Sequence, residues 1–115
     1  MNTQLIFREG EQYLETGDYQ KSLTLFSSAL EQTIMGQPWE EENTPHETRR
    51  LLAKLFLYRG ATLLLLDRLT DAEADLDEAI SQMPHYWPAF MERGLCHLEM
   101  GDVRLAEEDL KIAIH

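Results

Sequence analysis

Three segments of the sequence repeat one another, and that self-similarity limits the chain to an array of like units. Phe90, Gly94, His97, Gly101-Asp102, Ala106, Leu110 and Ala113 match Phe56, Gly60, Leu63, Asp67, Ala72, Leu76 and Ala79 at a shift of 34 residues. A third copy nearer the start holds Ile6, Gly10, Tyr13, Gly17-Asp18-Tyr19, Ser22, Phe26 and Ala29. A fixed period of this size marks units that cannot bury an apolar face alone and must stack to build a continuous core. The copies account for nearly all of the 115 residues, so one domain is expected.

Small residues recur at fixed places in every copy. They are Gly10, Gly60 and Gly94, then Ser22, Ala72 and Ala106, then Ala29, Ala79 and Ala113. Glycine inside a helix costs roughly 1 kcal/mol, so close packing must offset it. The pattern resembles the tetratricopeptide repeat family, whose unit is two antiparallel helices with small residues where they cross. Pro84 closes the second copy where the family places proline, whereas the first has Ile34. The resemblance implies an all-α fold, a right-handed superhelix of three antiparallel helix pairs. The repeats are placed at about 3–35, 45–84 and 86–115, with a loop at about 36–44.

The first two glycines are 50 residues apart instead of 34, so about 16 extra residues lengthen the first inter-repeat connection. Gly36-Gln37-Pro38 and the acidic Glu40-Glu41-Glu42-Asn43 read as an exposed loop. Thr44-Pro45-His46-Glu47 carries a capping threonine, proline in the first turn and glutamate three residues after the cap, so a long helix should run from there to about Leu66. Thr70-Asp71-Ala72-Glu73 repeats the capping pattern and predicts a second start. The lengthened connection looks like that of the three-repeat domains of immunophilins and related co-chaperones.

In the family, the first helices of successive repeats line a concave groove that holds a peptide. The resemblance therefore implies a groove built from Gln4, Phe7, Arg8, Glu11, Leu14 and Glu15, then Lys54, Leu57, Tyr58, Ala61, Leu64 and Leu65. The third repeat adds Pro88, Met91, Glu92, Leu95, Leu98 and Glu99. Chaperone-binding members clamp an acidic tail with lysine, asparagine and arginine. Phe7, Glu11, Tyr58, Pro88 and Glu92 stand at the aligned places, and two of these are anions where a cation must pair an anion. An apolar or amphipathic peptide segment is the expected ligand. An apolar stripe at helical spacing equally serves as core, and both readings stand at this stage. Trp39 in the loop is either a lid or an anchor for a partner.

The third repeat has no following helix in the sequence, which leaves Leu105, Leu110, Ile112 and Ile114 as a partly covered apolar end. A structural assembly subunit, self-associating there as a homodimer or end to end, is the alternative to a groove-based adaptor.

Other chemistry is poorly served. With 21 Asp and Glu against 10 Lys and Arg, the net charge of -11 repels nucleic acid and anionic membranes. The acidic run Asp71, Glu73, Asp75, Asp77 and Glu78 fails as a calcium loop, since Leu76 and Gln82 stand at its turn glycine and terminal glutamate; a solvated acidic face is expected. Cys96 and His97 are neighbours that point about 100° apart on a helix, and His97 takes the packing place of Tyr13. His46, His85 and His115 lack zinc-site spacing. Phosphate-binding glycine loops and nucleophile motifs are absent, so neither enzyme activity, cofactor nor metal is expected. One cysteine, no signal-peptide pattern and no long apolar run point to the cytoplasm.

Overall fold

A computed structural model describes residues 2–36 and 45–115. Six helices follow in order: α1 Thr3–Thr16, α2 Tyr19–Met35, α3 Pro45–Leu65, α4 Leu69–Gln82, α5 Trp87–Glu99 and α6 Val103–Ala113. Trp39, Thr44 and the Gln37 to Asn43 stretch lie outside the described residues. Each helix packs on its neighbours in sequence, and the body measures 45 × 30 × 20 Å.

Within each hairpin the turn is set by one residue in left-handed backbone. Gly17 and Gly101 take φ of 85° and 84°, and the next residue, Asp18 or Asp102, caps the following helix through its side chain. In the second repeat Asp67 takes the glycine's place at φ 60°, a conformation that aspartate tolerates better than most residues. Arg68 then stands at the N-cap of α4 without a side-chain capping bond. The start expected at Thr70 is thus displaced: α4 begins at Leu69 because the turn geometry, shared with the other hairpins, fixes where it enters.

The glycines hold the paired helices in close contact. A Cβ on Gly60 would stand 2.9 Å from Leu76 Cγ, and one on Gly94 2.9 Å from Leu110 Cδ2. Gly10 lies under the Phe26 ring in the same way, and Ser22 Oγ donates to the Gly10 carbonyl at 2.8 Å. Leu110 therefore turns inward over Gly94 instead of forming part of the open end. Phe26, Leu30, Leu55 and Leu76 are fully buried in a core that runs without a break from Ile6 to Cys96.

Ionic pairs tie the helices together within and between repeats. Asp75 is buried and takes a two-pronged pair from Arg59 at 2.7 and 2.8 Å. One repeat later the same device joins Arg93 to buried Asp109 at 3.0 and 2.8 Å, and Arg93 also reaches back to Asp77 at 2.9 Å. His97 is buried between Glu73, 2.7 Å from Nε2, and Asp109, 2.9 Å from Nδ1. The Nδ1 contact lacks hydrogen-bond alignment, so it counts as charge proximity only. Asp71 pairs with Arg68. The expected solvated acidic face holds in part: Asp71, Asp77 and Glu78 are exposed, the first two paired with Arg68 and Arg93, whereas Asp75 is buried against Arg59 and half-buried Glu73 contacts His97, because α4 is packed on both α3 and α5. His97 is a packing residue that also carries an inter-repeat contact.

Candidate functional site: the face of the first helices

Besides its sequence neighbours, α3 touches α5, and the Tyr58 ring of α3 meets the Phe7 ring of α1 edge-on at 4.8 Å. No comparable contact joins α2 to α4 or α4 to α6 among the described residues. Between the second and third repeats the first helices thus stand closer together than the second, and a ring contact links the first helices of repeats one and two.

Along this face the predicted residues divide by depth. Phe7 and Leu57 are buried and belong to the core, so they support the surface more than they form it. The stripe that sequence alone left open between core and ligand contact is partly core. Glu11, Leu14, Tyr58, Ala61, Leu64, Met91 and Glu92 are half-buried. Lys54, Leu65, Leu95 and Leu98 are exposed, the three leucines by 55, 41 and 45%. Large apolar side chains at such exposure on neighbouring helices form a contact surface that water covers poorly.

Charges are distributed unevenly on it. Lys54 Nζ lies 4.4 Å over the Phe7 ring, a cation–π contact worth about 0.5–1 kcal/mol at an exposed site. Burial and the nearby Glu11 carboxylate push the Tyr58 hydroxyl above its ordinary pKa. Burial does the same at Tyr86, aided by Tyr58 and opposed by Arg50. Sequence reasoning missed Tyr86 as a neighbour of this surface, because it precedes α5 and lies outside the helical register used to choose groove positions.

Glu92 is the unusual group. Burial raises its pKa, and among the described residues no cation pairs with it. An acid whose folded pKa is raised binds its proton more tightly folded than unfolded, so the cost of the charge is present above the folded pKa and vanishes on acidification. Glu92→Gln should therefore raise the melting temperature at pH 7, with the gain disappearing below the ordinary carboxylate range; thermal unfolding monitored by circular dichroism at both pH values checks it.

Elsewhere, Leu105, Ile112 and Ile114 are exposed, and His85, Trp87, Met91, Ile112 and Ile114 line an open pocket of about 600 Å³ between the ends of α5 and α6. Burial, then Glu73 and Asp77, raise the Cys96 thiol pKa, which keeps it protonated and unreactive. Among the described residues no group of three or more His, Cys, Asp or Glu side chains is arranged to hold a metal ion. No described helix is long and apolar enough to cross a membrane.

No family model matches the chain. A Dictyostelium discoideum protein described as a DnaJ homolog subfamily C member 7 homolog is 24% identical over 106 residues, 92% of this chain. The chain spans only 17% of that relative's length. Among solved structures, the first TPR of Spaghetti (RPAP3), bound to the HSP90 peptide SRMEEVD, superposes with a TM-score of 0.76 at 16% identity, covering 97% of this chain and 76% of that one. The first TPR domain of human RPAP3 gives 0.78 at 15% identity with the same coverage. The second TPR of Spaghetti, bound to the same peptide, gives 0.75 at 19% identity over 97% of this chain and 89% of that one. Six helices in three glycine-crossed hairpins among the described residues, superposing on these domains over 97% of this chain, establish that it has the tetratricopeptide fold.

Proposed function

We propose that the chain is a protein-binding module that takes an apolar or amphipathic peptide segment along the face of α1, α3 and α5, in the manner of an adaptor or co-chaperone. The observation that carries this reading is the exposed row Leu65, Leu95 and Leu98 beside half-buried Tyr58, Leu64 and Met91. Two structural neighbours hold the peptide SRMEEVD, which supports peptide capture as the use of this fold.

The charges argue for a different peptide. Glu11, Tyr58, Pro88 and Glu92 occupy places where a carboxylate clamp needs cations or amides, and Glu92 lacks a cation of its own. A basic residue on an amphipathic segment would neutralise Glu92 while its apolar side chains cover the leucines. Fluorescence anisotropy with two labelled peptides tests this. An amphipathic leucine- and lysine-containing helix should bind and SRMEEVD should bind at least tenfold more weakly. Leu65→Glu and Leu98→Glu, both at exposed sites that the fold tolerates, should each weaken the first peptide by tenfold or more, about 1.4 kcal/mol. Tighter binding of SRMEEVD, or indifference to both substitutions, would refute the reading.

A further inference from the structure

The junction between the second and third repeats shows what a first helix needs in order to dock on the second helix before it. Ala89 and Cys96 of α5 are fully buried, and Cys96 Sγ donates to the Leu69 carbonyl at the start of α4. On the same helix Arg93 pairs with Asp77 at 2.9 Å and His97 with Glu73 at 2.7 Å. The two helices run antiparallel, so early α5 meets late α4.

Carried forward by one repeat period, the α4 face of Leu69, Glu73, Asp77 and Ile80 becomes Val103, Glu107, Lys111 and Ile114 on α6. All four are exposed, Ile114 by 75%. The apolar ends and the Glu73 carboxylate are kept, but the anion at Asp77 has become the cation Lys111. A helix docking here needs an anion where α5 has Arg93.

The matching helix is α1. At the α5 registers of Ala89, Arg93, Cys96 and His97 it carries Leu5, Glu9, Gln12 and Tyr13. Leu5, Glu9 and Gln12 are exposed, and Glu9 and Tyr13 line a shallow pocket of about 360 Å³ with Lys21, whose ammonium lies 5.2 Å over the Tyr13 ring. Where α4 and α5 pair anion with cation, α6 and α1 offer the exchanged pair, Lys111 with Glu9. Glu107 would face the Tyr13 hydroxyl and Lys21, as Glu73 faces His97. Leu5 would cover Ile114.

We propose that the chain associates head to tail with a second copy of itself, α1 of one copy docking on α6 of the next as α5 docks on α4. The contact is heterologous, so it does not close at two copies. One helix face per side is small, and a net charge of -11 on each copy opposes it, so the association is weak and appears at high concentration.

Sedimentation velocity on the 115-residue chain from about 10 μM to 1 mM spans the range where such a contact shows. The weight-average mass should rise steadily past that of a dimer. Lys111→Glu and Glu9→Lys change exposed residues and should leave helicity intact, and each should weaken association at least tenfold. An equimolar mixture of the two variants restores opposite charges at every contact and should recover association. A monomer across the whole range, association unaffected by either variant, a mixture that stays monomeric, or a mass that stops at two copies would each overturn the proposal.

Discussion

Arg93→Ala is expected to remove about 3–5 kcal/mol of stability, enough to unfold much of the array, because it deletes one partner of a buried ion pair. Asp109 is 4% exposed, and its two carboxylate oxygens accept from Arg93 at 3.0 and 2.8 Å. Without the guanidinium, a buried anion keeps only the imperfectly aligned His97, and Asp77 loses its partner as well. The Asp109 hydrogen bond is the largest of the influences that raise the Arg93 pKa, so the guanidinium in the intact pair stays charged. The contrast is Arg104→Ala. Arg104 is 90% exposed and 3.7 Å from Glu108, and a solvated pair of that kind is worth about 0.5 kcal/mol or less. Urea unfolding of the two variants separates the effects; equal midpoints would show that the buried Arg93–Asp109 pair carries no special weight.

Phe26→Ala should cost a similar amount, about 3–5 kcal/mol, through lost burial and the cavity left behind. Phe26 is fully buried, lies on Gly10, and meets the Phe7 and Tyr58 rings at 5.7 Å each. It is where the first hairpin, the second repeat and the proposed binding face share one cluster. Phe26→Leu should recover much of the loss, since Leu76 and Leu110 fill the equivalent place over Gly60 and Gly94. Thermal denaturation of the pair checks this, and a Leu variant no better than Ala would mean that the ring contacts, not the volume, are what the site requires.

The sequence disclosed the array because its constraint is steric: a glycine or alanine at a helix crossing leaves a periodic mark that needs no knowledge of the partner side chain. Gly10, Gly60 and Gly94 each proved to lie under a large residue sixteen positions on, Phe26, Leu76 and Leu110. Charges behaved otherwise. Asp75 and Asp77 alternate along the chain like a solvated face, yet each pairs with an arginine sixteen residues away, on the preceding helix for Asp75 and the following one for Asp77. No local pattern records that distance. The start of α4 was misplaced for a related reason. Thr70 has the composition of a cap, but the left-handed turn at Asp67 sets the entry two residues earlier. On the candidate face, the family alignment offered Phe7 and Leu57 as groove residues, and both are buried, which depends on how the helices pack and is not written in the repeat pattern. Glu92 was legible as an anion, and its desolvation was not.

Whether the face of the first helices holds an apolar or amphipathic segment is decided by titrating isotopically labelled protein with the amphipathic leucine- and lysine-containing peptide and following its amide and methyl NMR signals. Binding there should concentrate the shifts at Tyr58, Leu64, Leu65, Glu92, Leu95 and Leu98, saturating together at one peptide per chain. Saturating shifts confined to α2, α4 and α6, or no shifts at any peptide concentration, would contradict it.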